Sequence, residues 1–246
     1  MTPPGILDPP VALITGASRG LGSVLARFLA GQGFDLVLNA RGPQELGRIV
    51  AELASTGRVI EAVAGDVSDP RTREELAAAV KERGRLDLLV NNASELGPSP
   101  LPFLASYPLD DLERVFRVNV VAPLSLCQRL LPALEERGGR IVNISSDAAL
   151  GGYPGWGGYG ASKAALDLIS LTFAHELKDR CVSVVSVDPG DMRTAMHQSA
   201  FPGQDISDRP LPDVTLPFWA WLLNQDPAKV SGHRFQAQSD RWEVPP

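Results

Sequence analysis

One of the chain's three tyrosines, Tyr159, stands four residues before Lys163 in "GYGASKAAL", immediately after the glycine-rich run "GGYPGWGG". A phenol that ionises near ~10 is a poor acid-base group at neutral pH unless something stabilises its phenolate. Bringing it to near ~7 takes about 3 units, or ~4 kcal/mol. A cation at ~4 Å in an effective dielectric of ~20 supplies about that much, and positions i and i+4 share a helix face. The spacing therefore predicts that Lys163 brings Tyr159 toward neutrality as a proton donor. Alone, Tyr-x-x-x-Lys is a common pattern. It gains weight only with other groups of the same chemistry.

The first of these lies near the start of the chain, where "ITGASRGLG" places Gly16, Gly20 and Gly22 between an apolar run and a helical pattern. Glycines let backbone turn tightly against a pyrophosphate, whose charge is met by N–H groups at a helix N-terminus. The cradle takes in Gly16, Ser18, Arg19, Gly20, Leu21 and Gly22. The spacing is neither G-x-G-x-x-G nor a P-loop. About 20 residues further on, where an acidic residue usually meets the ribose of NAD, "LNAR" offers no carboxylate, and Arg41 stands with Arg19 as a pair suited to a 2′-phosphate. The charges thus favour NADP(H) over NAD(H). A rival reading takes "GASRG" as a hydrolase nucleophile elbow carrying Ser18, with His175, His197 or His233 as its base. None of the three histidines stands in a telling context.

The elements that would position these groups alternate. Apolar runs rich in β-branched residues recur as "VALIT", "DLVLNA", "RVIEAVAGDV", "LDLLVNNA", "RIVNISS", "VSVVSVDPG" and "HRFQAQ". The first six read as strands covered on both faces. Helical patterns between them span about 20–32, 43–56, 70–84, 109–137, 157–180 and 213–224, with Asp69 as an N-cap and Pro70 at a first helical position. Strands alternating with helices predict a doubly wound parallel α/β sheet with helices on both faces, a three-layer α/β/α arrangement. The chain reads as a proline-rich tail over 1–10 and one domain over 11–246, with a substrate loop at about 191–210. "TLPFWAWLL", 215–223, reads as core or subunit contact.

Taken in order, these motifs resemble the short-chain dehydrogenase/reductase family over about residues 11–238. "TGASRGLG" is similar to its TGxxxGxG loop, "GDV" at 65–67 to its D-V pair, "NNA" at 91–93 to its N-N-A-G strand end, and "PGDMRT" at 189–194 to its P-G-x-x-x-T stretch. The resemblance implies a Rossmann-like fold, an oxidoreductase acting on a carbonyl or secondary alcohol, and a catalytic tetrad of Asn119, Ser146, Tyr159 and Lys163. Ser146 is preferred to Ser145 because it lies thirteen residues before the tyrosine. By the same resemblance Asp66 and Val67 meet the adenine. Asn92, Ala93, Pro189, Gly190 and Thr194, with Tyr159 and Lys163, line the rest of the dinucleotide, and Asn119 holds a water that extends the proton relay. It also implies a homodimer or homotetramer. Ser94 departs from the glycine of N-N-A-G, and "HRFQAQSDRW" departs from the usual V-D-G-G ending. A dinucleotide-binding regulator without catalysis is the remaining alternative.

Composition narrows the class further. Hydrophobic residues make up 44% and charged residues 21%, as in ordinary globular proteins. A net charge of −6 with no basic cluster argues against nucleic acid or an acidic membrane. No apolar run approaches the ~20 residues of a membrane span, and "MTPPGILDPP" lacks the regions of a signal peptide, so a cytoplasmic location is expected. Cys127 and Cys181, the only cysteines, read as buried fillers, and "HELKD" at 175–179 lacks the second histidine of a zinc motif, so no metal is expected.

Overall fold

The computed structural model describes residues 8–244, so residues 1–7 of the expected tail lie outside the described residues. Seven strands form one parallel sheet: β1 (Val11–Thr15), β2 (Asp35–Ala40), β3 (Ile60–Ala64), β4 (Leu88–Asn91), β5 (Arg140–Ile144), β6 (Ser183–Asp188) and β7 (Arg234–Gln236). Their order across the sheet is β3-β2-β1-β4-β5-β6-β7. Side chains alternate between faces, and the register carries that alternation from strand to strand. Leu13 pairs with Val37 and Leu89, and Ile141 links Leu89 to Val184. The adjacent row runs through Leu38, Ile14, Val90, Val142 and Val185. The two rows feed two separate cores.

On one face, the second row packs against α1 (Gly20–Gly31), α2 (Pro43–Leu53) and α8 (Leu216–Leu223). On the other, the first row packs against α3 (Pro70–Arg83), α5 (Ala122–Glu135) and the end of α6 (Gly157–Glu176). The three layers are those read from the sequence. The aromatic run at 215–223 proves to be core, since Phe218, Trp219 and Leu222 are buried and Phe218 lies within 6 Å of Phe235 and Trp242. Among the described residues no helix is long and apolar enough to cross a membrane.

Helix starts follow local chemistry. Asp69 caps α3 by accepting from the Arg71 N–H at 2.9 Å, and Gly84 closes it with a φ of 71°. Three departures from the sequence reading have physical causes. The strand β3 is nowhere fully buried, because an edge strand has one neighbour and its helices overlap it only in part. The helix expected over 109–137 is three pieces: α4 (Leu109–Phe116), a π-turn at Arg117–Val121, and α5. Pro123, which lacks an N–H, enters just after that turn, where the regular i→i−4 ladder is replaced by wider bonding. Two helices were not foreseen, α7 (Ala195–Ala200) and α9 (Pro227–Val230), both too short for a periodic signal. Cys127 is buried as expected, whereas Cys181 is exposed.

Candidate functional site

The order of the sheet reverses between β1 and β4, and ligands of such sheets bind in the crevice at the carboxyl ends of those strands. A cleft of about 980 Å³ opens there. At one end the loop after β1 enters α1, whose first turn no side chain caps. Its N–H groups are therefore oriented for an anion. Gly22 does not line the cleft, in contrast to the other cradle residues. A Cβ there would sit 2.2 Å from the Gly16 carbonyl oxygen, so Gly22 lets the helix close on its own loop. Asn92 holds the same loop from the side, its Nδ2 donating to the carbonyls of Thr15 and Gly16 at 2.8 and 3.1 Å.

Further along, Asp66 and Val67 follow β3 on the cleft wall. Burial opposes ionisation of Asp66, but the Ser68 N–H and hydroxyl, at 2.8 and 2.7 Å, together with Arg41 and Arg114, hold its carboxyl below the usual range. Arg41, at the end of β2, and Arg19, at the start of α1, both line the cleft. Glu95 lies between Arg41 and Arg114, accepting from each at 3.4 Å on one oxygen. Sequence reasoning did not find Glu95 or Arg114, because their pairing joins segments 54 and 19 residues apart.

The opposite end carries Ser146, Tyr159 and Lys163. Ser146 leaves β5 in extended conformation, its Oγ donating to Asp147 Oδ1 at 3.0 Å and accepting from the Ala148 N–H at 3.2 Å. The helix α6 meets this segment at Gly160, where a Cβ would stand 2.4 Å from the Ala148 carbonyl oxygen. Only glycine permits that approach, which sets Tyr159 beside Ser146. Tyr159 is buried, and burial first, then Asp188 and Asp147, push its phenol up to about 12, while the hydroxyls of Ser94 and Ser146 pull it down.

Lys163 is buried too, and lost hydration lowers its ammonium to about 8 against the pull of Asp167. Its Nζ lies 5.5 Å from the centre of the Tyr159 ring and donates to the Ile144 carbonyl at 2.7 Å. The expected descent of Tyr159 toward neutrality is therefore absent from the protein alone. The lysine spends its nearest bond on the β5 backbone, and desolvation of the phenol outweighs what remains.

Asn119 lies behind the cleft wall. It is fully buried in the π-turn and does not line the cleft. Its Oδ1 accepts from the Glu95 N–H at 2.7 Å and the Ser94 hydroxyl at 3.2 Å, and its Nδ2 donates to the Glu95 carbonyl and Ser162 Oγ at 2.8 and 2.9 Å. With both ends of its amide engaged, the side chain positions the 94–95 backbone.

A network that sequence reasoning missed underlies Ser146. Arg234, on β7, donates to the Ser146 carbonyl at 2.8 Å, to Asp188 at 3.1 Å and to Asp167 at 3.1 Å. Asp188 in turn accepts from the Gly190 N–H at 3.0 Å. One guanidinium thus ties the serine segment to the Pro189-Gly190 turn. The visible signal was an arginine in the last apolar strand.

Beyond Tyr159 the cleft wall is aromatic and apolar. Trp156 packs edge-on to Tyr159 at 5.8 Å and against Phe201 at 6.0 Å, and Met192 and Leu96 are buried in the wall. Thr194 lines the cleft and caps α7 by accepting from the His197 N–H. Among the described residues no histidine hydrogen-bonds Ser18, which leaves the hydrolase reading without a base.

Comparison with known proteins agrees with this architecture. A family model described as short chain dehydrogenase matches residues 10–205. The chain is 32% identical over 241 residues to the Escherichia coli oxidoreductase YciK, covering 96% of this chain and 94% of that one. It is 35% identical over 193 residues to a 3-oxoacyl-[acyl-carrier-protein] reductase of Synechocystis, covering 77% and 76%. Among solved structures, a Shigella flexneri short chain dehydrogenase complexed with NADP superposes with a TM-score of 0.87 at 31% identity, covering 94% of this chain and 97% of that one. An Escherichia coli short chain dehydrogenase complexed with NADPH gives 0.86 at 31%, covering 94% and 97%. From its matched motifs, its sheet order and these relatives, the chain belongs to the short-chain dehydrogenase/reductase family and is an oxidoreductase of that family.

Proposed function

We propose that the protein binds NADP(H) in preference to NAD(H) and interconverts a carbonyl and a secondary alcohol, with Tyr159 as general acid and base. The observation that carries this reading is one continuous cleft, with the uncapped start of α1 and two arginines at one end and the Ser146 and Tyr159 hydroxyls at the other. The relatives solved with NADP and NADPH support it.

The residues present fit such a cofactor. Gly20 and Leu21 would face its pyrophosphate, and Arg19 and Arg41 its 2′-phosphate. Asp66 and Val67 would meet the adenine, and Ala93, Pro189, Gly190 and Thr194 the nicotinamide half. When bound, the cofactor supplies the hydride that reaches the carbonyl carbon. Ser146 orients the carbonyl oxygen by hydrogen bonding. Tyr159, protonated at neutral pH, gives that oxygen its proton. Lys163 stands by as the nearest cation to the phenolate left behind. Trp156, Met192 and Phe201 exclude water around the reacting carbon and favour substrates with an apolar arm.

Fluorescence titration with NADPH and NADH, followed by a panel of carbonyls, tests the reading. It expects tighter NADPH binding and NADPH oxidation with at least one ketone. Equal affinities would remove the phosphate clasp, and no binding of either nucleotide would remove the reading itself. Exposed apolar side chains on α4, the π-turn and α6, namely Leu109, Val121 and Leu168, support self-association through that face. Light scattering should show a dimer or tetramer that Leu168→Glu weakens.

A further inference from the structure

Of the two arginines at the α1 end of the cleft, Arg19 and Arg41, only Arg41 carries an ion pair among the described residues. Its Nη1 donates to Glu95 Oε2 at 3.4 Å, and Arg114 Nη2 donates to the same oxygen at 3.4 Å. The carboxylate is the fixed member of this trio. Asn119 accepts from the Glu95 N–H at 2.7 Å and donates to the Glu95 carbonyl at 2.8 Å, which clamps the backbone that carries it. The Glu95 side chain is 20% exposed, against 53% for Arg41 and 55% for Arg114, so the guanidiniums are the parts with room to turn. Glu95 and Arg41 line the cleft, whereas Arg114, in the last turn of α4, does not. A phosphate entering here meets Arg41, but Arg41 is held by an acid with a second cation behind it.

We infer that Glu95 is a specificity-determining residue for the nucleotide: it competes with a 2′-phosphate for Arg41, and Arg114 permits the exchange by keeping the carboxylate paired after Arg41 has turned to the phosphate. The inference rests on the reading that Arg41 meets the 2′-phosphate of NADP(H). In the free protein one carboxylate oxygen serves two guanidiniums. After the exchange each guanidinium has its own anion, Arg114 with Glu95 and Arg41 with the phosphate, and no charge is left unpaired. A guanidinium gains by this, because phosphate oxygens match its fork and a single contact of 3.4 Å between half-exposed groups is worth little. Without Arg114 the same exchange leaves a bare carboxylate beside the phosphate, and like charges at such range repel. A nucleotide that lacks the phosphate demands no exchange and leaves the trio as it was. Glu95 and Arg114 therefore act on NADPH in opposite directions. The acid weakens its binding, and Arg114 offsets that through Glu95, from outside the cleft lining.

The test is fluorescence titration of wild type, Glu95→Gln, Arg114→Gln and the double variant with NADPH and with NADH. Glutamine keeps the shape of Glu95, and the Asn119 clamp grips only backbone. The readout is the ratio of the NADPH to the NADH affinity within each protein, in which any loss of folded material cancels. Glu95→Gln should raise that ratio about threefold to fivefold, the worth of a half-exposed ion pair, and Arg114→Gln should lower it by a similar factor. The double variant should match Glu95→Gln, since Arg114 then has no carboxylate to hold. If Arg114→Gln lowers the ratio equally in both backgrounds, Arg114 acts on the phosphate directly or through general charge, and the inference is overturned. A lower ratio in Glu95→Gln also overturns it, because Glu95 would then be orienting Arg41 for the phosphate. A wild type that favours NADPH, with the ratio unmoved in Glu95→Gln, leaves the phosphate clasp standing and sinks the inference alone. A wild type that binds both nucleotides equally while Glu95→Gln favours NADPH supports the inference and removes the wild-type preference. Equal binding, or none, in all four proteins removes both.

Discussion

Burial keeps Tyr159 protonated at neutral pH, and in the proposed reaction that proton goes to the carbonyl oxygen. Tyr159→Phe removes that proton and little volume. Reduction should fall by at least ~10²-fold, the ordinary worth of a positioned general acid, while NADPH affinity measured by fluorescence is retained. Lys163 adds a pH signature of its own. Its ammonium ionises near about 8 in the fold against an ordinary 10.5. Between those values the unfolded chain holds the extra proton, so folding stability rises with pH. Urea unfolding of wild type against Lys163→Met should show wild type gaining on the variant from pH 8 to 10.5, with a slope approaching about 1.4 kcal/mol per pH unit. A pH-independent difference would show that the lysine is not penalised by burial. The types and spacing of Ser146, Tyr159 and Lys163 were legible in the sequence because they sit on one strand end and one helix face. The bond from Lys163 to Ile144 was not, since it spans the gap between α6 and β5 that only packing sets.

At the scale of elements, the last strand does more than finish the sheet. Arg234 on β7 reaches across to the ends of β5 and β6, where it neutralises the buried Asp188 and holds the Ser146 backbone. Taking one partner from a buried ion pair leaves an uncompensated charge, which costs about 3 kcal/mol or more. Arg234→Met should lower stability by about that amount in urea unfolding, and reduction should fall beyond what the stability loss explains. Unchanged kinetics in folded variant would detach the network from the site. The sequence marked this strand only by its departure from V-D-G-G, a pattern without physical content until the acceptors of the arginine are known. Helix limits were far more readable: the Asp69 cap and Pro70 start α3 where expected, because those signals act within one turn. The break at Arg117–Val121 was signalled by Pro123 and a β-branched run, yet its π form and the burial of Asn119 depend on the neighbouring 94–95 backbone.

For the whole molecule, the alternation of apolar strands and helices determined the layers, and the lost detail lay at the sheet edge, where β3 has one neighbour instead of two. Electrostatics, in contrast, is divided between scales. The chain carries a net charge of −6, which repels a polyanionic nucleotide at long range. In the proposed complex, binding would depend on the local charges of Arg19 and Arg41, which line one end of the cleft, and Arg41 already faces Glu95, as does Arg114. A nucleotide with a 2′-phosphate should engage that end, and one without it should not. A ligand held only by the folded state at 100 times its Kd adds about 2.7 kcal/mol of stability, or roughly 5–10 °C in Tm for a chain of this size. Scanning fluorimetry should give an increase in that range with NADPH and a smaller one with NADH at equal concentration. Raising the salt should shrink the NADPH increment more than that of NADH, because screening acts on the additional phosphate. In Arg41→Asp the two nucleotides should become nearly equivalent, through loss of the NADPH increment and not through gain with NADH. Equal increments in wild type would mean that the phosphate never reaches these arginines, and that Arg41 serves only to hold Glu95.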